Sequence, residues 1–255
     1  MNNNGQEYTP LERGELIQLK RWNTPTIFNG WEQITKHNPL DNAFNLEEVR
    51  DFMPQMGPTA GYAITVVIQP SNPNLPTNRA IVWQEYRKFI AGIPGPKIVV
   101  VQDLDKPKVI GSFWGEVTSN FHRALGCVAT ITDGSIRDVD EMTAAGFKAI
   151  ARRLAVSHAY SAPIRWDCEV EVFGTKIQPR RLIHADKHGF VVIPPEDERR
   201  LLAAARFMDN TEAATKLAAS WIPSGMSTDD LLTGFDRADD KMTEMIREHF
   251  HHTGD

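Results

Sequence analysis

Three carboxylates and one arginine are spaced along a short stretch in the middle of the chain. Glu116 is separated by twenty residues from the pair Arg137 and Asp138, and Glu141 follows three positions later. One or two carboxylates, with water, are the usual protein ligands of Mg²⁺. A guanidinium is always charged and binds a carboxylate through two parallel hydrogen bonds. These residue types predict a site for a divalent cation and an anionic substrate.

Two predicted elements position these residues. Glu116 opens a helix-like segment that Gly126 closes, and the apolar run Cys127–Ile131 then predicts a strand. The pair Asp133 and Gly134 predicts a tight turn after that strand, because Asp and Gly both favour turns. We therefore expect the arginine and the carboxylates to converge where the strand ends.

The start of the predicted helix allows two roles for Glu116. A carboxylate at a helix N-terminus is stabilised by the helix dipole, and this needs no ligand to explain it. The same N-terminus carries free backbone N–H groups, here on Val117 and Thr118, which are predicted to bind the carboxylate of a substrate. For Glu116 the sequence leaves open this role at the helix start and a role at the cation site.

The other charged residues also have explanations without a ligand. Arg137 could form an ion pair with Asp133 or Asp140, and from the residues alone this is the simpler interpretation. Asp138 and Glu141 have the spacing of a capping box before a helix. A capping carboxylate still has lone pairs for a cation or its waters, so the two interpretations of Asp138 are compatible.

Three segments resemble a known family. DGSIRD at Asp133–Asp138 matches the DG-x-x-RD pattern of the RraA-like proteins without a gap, and Glu116 takes the place of that family's acidic residue upstream. Ile177–Glu196 resembles the family's closing strands, and Gly61–Val67 is a weaker match. The resemblance covers about residues 20–196.

The resemblance implies a fold class and an assembly. RraA-like proteins have an α/β fold with a layered α/β/β/α, swivelling-domain-like core, and they form trimers or hexamers with sites between subunits. For this chain it implies an RraA-like domain over residues 20–196. An N-terminal extension over residues 1–19 and a helical C-terminal extension over residues 197–255 flank that domain.

The resemblance also implies a chemistry. The family includes class II 4-hydroxy-4-methyl-2-oxoglutarate/4-carboxy-4-hydroxy-2-oxoadipate aldolases. The chain is therefore expected to be a lyase that cleaves such 2-oxo acids, or decarboxylates oxaloacetate, through a pyruvate enolate. The matching positions imply Asp138 as the ligand of Mg²⁺ or Mn²⁺, Arg137 as a catalytic and substrate-binding residue, and Glu116 and Glu141 as catalytic residues. The family spacing makes function the favoured interpretation of Arg137.

The same family offers a second function. Some RraA-like proteins bind ribonuclease E and inhibit RNA processing by protein contact, and such a binding ring does not need the carboxylates and the Arg-Asp pair. Another label in the family, demethylmenaquinone methyltransferase, is not supported, because the chain lacks a G-x-G-x-x-G loop. Three features depart from the family pattern: Asn29 in place of an acidic residue, Glu116 in place of an aspartate, and the C-terminal extension.

Composition limits the class of protein. With 255 residues, of which 41% are hydrophobic and 24% charged, the chain resembles an ordinary globular enzyme. A net charge of −5 argues against a nucleic-acid partner, since phosphate binding needs concentrated Lys and Arg. No apolar run is long enough to span a membrane. The polar start indicates no signal peptide, and Cys127 and Cys168 are interpreted as buried thiols in a reducing compartment, so the predicted location is the cytoplasm.

Apolar periodicity predicts the surrounding elements. A helix is predicted over Leu11–Trp22 and a buried strand over Lys97–Val101, in an alternation that is typical of α/β domains. Two C-terminal helices are predicted over Glu196–Trp221 and Ser227–Phe250, and residues 1–10 are expected to be disordered.

Overall fold

The computed structural model describes residues 10–221 and 223–251 of the chain. The α-helices of this part are α1 (Arg13–Leu19), α2 (Thr24–Glu32), α3 (Arg79–Ala91), α4 (Glu116–Ala124), α5 (Val139–Ala144), α6 (Glu198–Glu212) and α7 (Thr228–Ile246). A short 3₁₀ helix spans Pro54–Met56. π-Helical turns extend α6 over Ala213–Leu217 and α7 over Arg247–His251.

Most of the strands belong to one mixed sheet. The strands are β1 (Arg50–Asp51), β2 (Thr59–Ile68), β3 (Lys97–Asp103), β4 (Ser112–Trp114), β5 (Cys127–Ile136), β6 (Lys148–Leu154), β7 (Arg165–Trp166), β8 (Val170–Val172), β9 (Thr175–Ile177), β10 (Leu182–Asp186) and β11 (Gly189–Ile193). The sheet order is β1-β6-β5-β3-β2-β10-β11, with β4 paired to β5 and β7 to β2, while β8 and β9 form a separate hairpin. The neighbours β2, β3, β5 and β6 are parallel, and β10 and β11 continue the sheet antiparallel.

The sheet curves around an inner core. On β2, Ala63 and Val67 belong to the same buried cluster as Ile183 of β10 and Val192 of β11. Because successive side chains of a strand point to opposite faces, Ile64 lies in a different cluster on the outer face. The parallel strands and the antiparallel pair therefore face each other as two β layers.

Helices cover the outer side of each of the two β layers. On the parallel strands, Tyr86 of α3 and Met142 of α5 pack with outward residues of β2 and β3. On β10 and β11, α1, α2 and α6 pack through a cluster that includes Trp31 and Leu201. This order of layers confirms the predicted α/β/β/α fold class, and α7 confirms a helical C-terminal extension.

The predicted turn at Asp133 and Gly134 is wrong, because both residues lie inside β5, where the register with β6 shifts. Asp133 is fully buried; its carboxylate accepts a 2.8 Å hydrogen bond from the Asp103 backbone N–H and pairs with Lys106 Nζ at 2.8 Å. Gly134 permits this packing, since a Cβ atom there would lie 2.9 Å from Asp103 Oδ2. The Asp-Gly pair forms an irregularity in a buried strand that continues to Ile136.

Other predicted elements are present with shifted ends. α1 is shorter than the predicted helix Leu11–Trp22, and β3 extends two residues beyond Lys97–Val101. α6 and α7 confirm the two C-terminal helices, whereas the disorder predicted for residues 1–10 falls outside the described residues except at Pro10. No helix of the described part is long and apolar enough to cross a membrane.

The two cysteines differ in burial. Cys127 is buried at the start of β5, as predicted. Cys168 is only half-buried, so the prediction was wrong for that thiol. It precedes β8 and packs at the margin of the inner core, where solvent still reaches one side.

Candidate active site

A cavity of about 300 Å³ lies where β4, the start of α4 and the segment after β5 meet. Five of the six predicted site residues line it: Glu116, Val117, Thr118, Arg137 and Asp138. β4 pairs with the last residues of β5, and this pairing brings the start of α4 next to the Arg-Asp pair. Residues that are far apart in the sequence thus share one cavity wall.

Asp138 has a left-handed backbone conformation, with φ +55°, which Asp and Asn tolerate better than most side chains. Its side chain makes no capping bond to α5, so the predicted capping box with Glu141 is wrong. Instead, Asp138 Oδ2 accepts a 3.0 Å hydrogen bond from the Glu116 backbone N–H. The carboxylate of Asp138 therefore stabilises the N-terminus of α4, where negative charge is favoured.

Gly115 makes this contact possible. A Cβ atom at Gly115 would lie 2.5 Å from Asp138 Oδ2 and 3.2 Å from Arg137 Nε. The φ of Gly115 is −170°, an extended conformation that any residue adopts. The absence of a side chain is therefore required here by close packing and not by backbone strain.

Arg137 lies beside Asp138 on the cavity wall. Its Nε is 3.5 Å from Asp138 Oδ2, and its Nη1 donates a long hydrogen bond of 3.4 Å to the Val156 carbonyl. The predicted alternative, an ion pair with Asp133 or Asp140, is wrong, because Arg137 pairs with neither of them. With 37% of its side chain exposed, the guanidinium retains N–H donors for an anionic ligand.

The cavity wall is rich in unused hydrogen-bond donors. Neither Val117 nor Thr118 donates its backbone N–H to any group within residues 10–221 and 223–251. Such N–H groups at the start of a helix bind anions. Two more residues of the wall, Trp114 and Ser161, have a buried indole N–H and a buried hydroxyl without a partner in the same part of the chain. The wall therefore suits an anionic ligand.

The carboxylates of Asp138 and Glu116 suit a cation that has mostly water ligands. Asp138 Oδ2 is engaged by the Glu116 N–H, but Oδ1 makes no hydrogen bond in the described part of the chain. Glu116 adds a second, exposed carboxylate to the wall. The described residues contain no group of three or more His, Cys, Asp or Glu side chains that could hold a metal. This donor set fits hydrated Mg²⁺ or Mn²⁺ better than a fully protein-bound ion.

The buried His122 of α4 links the first turn of that helix to α3. His122 Nδ1 lies 2.7 Å from the Thr118 carbonyl, which only accepts hydrogen bonds, so Nδ1 carries the proton. His122 Nε2 then accepts from the Tyr86 hydroxyl at 3.0 Å. Burial lowers the pKa of His122 to about 4 and raises the pKa of Tyr86. His122 is thus a neutral residue that anchors the first turn of α4 and does not line the cavity.

The predicted and observed walls differ, because one predicted residue is absent and further residues, including Trp114 and Ser161, line the cavity. Glu141 does not line the cavity, because it is exposed on α5, and its catalytic role stays a prediction. Trp83 of α3 and His158 of the loop after β6 line the cavity but were missed. No spacing in the sequence links these residues to α4, and only their isolated types, an aromatic residue and a loop histidine, could have drawn notice.

Comparison with solved structures supports the fold. The chain is similar to an uncharacterized protein from Pseudomonas syringae pv. tomato str. DC3000, with a TM-score of 0.65 and 21% identity over 89% of this chain and 97% of that one. It is also similar to Streptomyces coelicolor RraAS2, described as an unusual member of the RNase ES inhibitor RraA protein family. That match has a TM-score of 0.63 and 16% identity over 82% of this chain and 98% of that one. At these identities the likeness shows the fold alone.

Sequence comparison gives the family. No curated protein matches the chain. The model of the family described as RraA-like, Aldolase/RraA, matches residues 26–192. These residues make up more than half of the chain, which therefore belongs to the RraA-like family.

Proposed function

We propose that the protein is a divalent-metal-dependent lyase acting on 2-oxo acids. It would cleave compounds of the 4-hydroxy-4-methyl-2-oxoglutarate type, or decarboxylate oxaloacetate, through a pyruvate enolate. One observation carries the proposal: Arg137, Asp138 and Glu116 line the same cavity as the unused N–H groups at the start of α4. Membership of a family described as Aldolase/RraA supports this class of reaction.

Arg137 and the start of α4 bind the anionic substrate. The carboxylate of the 2-oxo acid accepts hydrogen bonds from the guanidinium of Arg137 and from the N–H groups of Val117 and Thr118. When the carbon–carbon bond breaks, negative charge develops on the oxygen of the enolate. Donors that are already in place stabilise this charge without reorganising, which lowers the barrier.

Asp138 would hold the cation, and Glu116 would bind waters of its shell. The hydrogen bond from the Glu116 N–H orients Asp138 while leaving Oδ1 available. A bound Mg²⁺ or Mn²⁺ supplies Lewis-acid polarisation of the 2-oxo group. Glu116 is one methylene longer than the aspartate of the resembling aldolases, so the position of the ion and the choice of substrate are expected to differ from theirs.

A neighbouring subunit of a trimer or hexamer would cover the cavity. Exposed apolar side chains lie on α4, at the end of β6 and on the loop after it: Val117, Phe121, Leu154, Val156 and Tyr160. Val156 is 94% exposed, and apolar patches of this kind mark interaction surfaces. Light scattering should give three or six times the mass of the chain, and Val156→Asp should lower that mass.

Pyruvate release tests the lyase. Oxaloacetate and 4-hydroxy-4-methyl-2-oxoglutarate would each be supplied with Mg²⁺, Mn²⁺ or EDTA. We expect release that requires the cation and falls by at least about 100-fold in Arg137→Ala, because a lost donor to a developing oxyanion costs about 10²–10³ in rate. Asp138→Ala should lose release and cation binding together.

Two exposed charges outside the cavity wall provide matched controls. Arg123→Ala on α4 and Asp140→Ala on α5 should retain pyruvate release. A folded, metal-loaded protein that releases no pyruvate would contradict the proposed substrates. If the cation also fails to bind, a regulator that contacts ribonuclease E or another protein replaces the lyase.

A further inference from the structure

The loop between β6 and β7 contributes a histidine to the cavity. The part of it that follows β6, residues 155–161, is called the 155–161 loop. His158 lies on it and lines the cavity together with Arg137 and Asp138. The function proposed above uses the arginine, the carboxylates and the N-terminus of α4, but it assigns no residue to move the proton that carbon–carbon cleavage requires. His158 is an acid–base side chain on this wall besides the two carboxylates that are assigned to the cation and its waters.

The 155–161 loop is held in place from several sides. Both terminal nitrogens of Arg79 on α3 donate to it, Nη1 to the Tyr160 carbonyl and Nη2 to the Ser161 carbonyl, each at 2.6 Å. The Ser112 N–H of β4 donates to the Ser157 carbonyl at 2.9 Å. These contacts come from the elements that form the cavity, so they fix the loop relative to the site.

The backbone beside His158 adopts a costly conformation. Ala159 has φ +46°, a region that non-glycine residues rarely occupy. Gly111 allows the loop to approach, since a Cβ atom there would lie 2.7 Å from Ala159 Cβ and 2.8 Å from the His158 carbonyl oxygen. Strain of this kind persists only where the surrounding structure imposes it. The backbone position of His158 is therefore set by the fold, and its exposed side chain starts from a fixed point on the cavity wall.

Hydrogen bonding determines which nitrogen of His158 carries the proton. Nδ1 lies 2.6 Å from the Ala159 carbonyl, which only accepts hydrogen bonds, so Nδ1 is the donor. Nε2 has no hydrogen-bond partner in residues 10–221 and 223–251. In this tautomer the neutral ring presents Nε2 as a base, and a ring nitrogen held by a carbonyl is oriented for proton transfer.

We propose that His158 is the catalytic acid–base residue of this site, an inference that rests on the proposed lyase. Nε2 takes the proton from the C4 hydroxyl of the substrate while the C3–C4 bond breaks. The C4 carbon becomes a carbonyl, and the bonding electrons form the enolate of pyruvate. Nε2 then returns the same proton to C3. No proton or electron is gained or lost overall, and pyruvate and a second oxo acid leave.

Exchange of the C3 hydrogens of pyruvate with D₂O isolates this proton transfer from carbon–carbon cleavage. The wild-type protein with Mg²⁺ should exchange them, because Nε2 removes a C3 proton and returns a solvent deuteron. His158→Ala should lower the exchange rate by at least about 100-fold, the usual contribution of an acid–base residue. Added imidazole should restore exchange in His158→Ala in proportion to its concentration, which a purely structural role would not produce.

A control variant and a protection experiment distinguish a catalytic His158 from a structural one. His37, an exposed histidine paired with Glu196, provides the control, and His37→Ala should exchange like wild type without an imidazole effect. Oxalate, an analogue of the enolate, should protect His158 but not His37 from diethyl pyrocarbonate. Exchange in His158→Ala within about threefold of wild type, with Arg137→Ala still inactive, would overturn this inference and leave the lyase intact. A wild-type protein that neither exchanges nor releases pyruvate would overturn both.

Discussion

Asp133 and Asp138 belong to one six-residue motif, yet the fold gives them opposite surroundings. Asp133 is fully buried in β5, where its carboxylate contacts Lys106 and the Asp103 N–H. Asp138 is partly exposed on a cavity wall, and one of its oxygens has no partner in the described residues. A carboxylate whose contacts are already made serves the fold, whereas one with an unused oxygen on a cavity is available to a ligand.

Burial also separates the electrostatics of the two positions. Desolvation raises the pKa of Asp133 even though Lys106 and Arg152 act in the opposite direction. It raises the pKa of the neighbouring Asp103 to about 7. Taking a carboxylate out of water costs more than an ion pair returns unless the geometry is very good. The Asp103–Asp133 cluster is therefore a part of the fold whose stability depends on pH.

The largest expected effect is on stability, at the buried member of the pair. Asp133→Ala breaks the ion pair with Lys106 and leaves the buried Asp103 N–H without its acceptor, so it should lower the free energy of unfolding by about 3–5 kcal/mol, measured by urea denaturation. Asp140→Ala, at an exposed site, should change it by less than about 0.5 kcal/mol. Equal small changes in both variants would show that the buried cluster does not support the fold.

A change at the exposed Asp138 should affect cation binding and activity much more than stability. Asp138→Asn retains a residue that tolerates φ +55° and an oxygen that accepts the Glu116 N–H, so stability should stay within about 1 kcal/mol. Losing the negative charge should reduce cation affinity and pyruvate release by at least about 10–100-fold, since even groups that only orient a metal ligand contribute this much. Calorimetry with Mn²⁺ and the pyruvate assay check this. A stable variant with unchanged Mn²⁺ affinity would contradict the proposed role of Asp138 in binding the cation.

Gly115 affects the exposed carboxylate of Asp138 through packing alone. Gly115→Ala places a Cβ atom 2.5 Å from Asp138 Oδ2, so the Asp138 and Arg137 side chains must move. A misplacement of about 1 Å can cost up to about 100-fold in rate, and we expect a loss of about 10–100-fold in pyruvate release. Gly14→Ala in α1 is the control, since no atom lies within 4 Å of the added carbon. Equal activity in the two variants would contradict the close packing.

The smallest effect concerns pH and Asp103. The folded protein holds the Asp103 proton up to about pH 7, whereas an unfolded carboxyl releases it near 3.8. This stabilisation is complete below the unfolded value and is lost as pH rises through about 7. Relative to wild type, Asp103→Asn should therefore gain about 1–3 kcal/mol between pH 5 and pH 8. A difference in unfolding free energy that does not change with pH would contradict the raised pKa.

The local elements, and most of the residues that share the cavity, could be predicted from the sequence. The glycine before Glu116 and the apolar run from Cys127 predict a helix and a strand, and both are present as α4 and β5. Such patterns are reliable because they depend on neighbours within a few residues, through backbone N–H groups at a helix start and alternating burial along a strand. The motif around Arg137 also indicated which residues share a cavity.

Which alternative each residue adopts depends on contacts that form only in the folded chain. The spacing of Asp138 and Glu141 suits a capping box, but the carboxylate of Asp138 binds the start of α4 instead. Asp133 and Gly134 form a pair that is typical of turns, but contacts with Lys106 and Asp103 hold Asp133 inside a strand. His158 reaches the cavity through a loop that α3 and β4 fix. In each case the deciding contact comes from a residue more than twenty positions away, and local preferences of about 1 kcal/mol yield to burial and partners supplied by the fold.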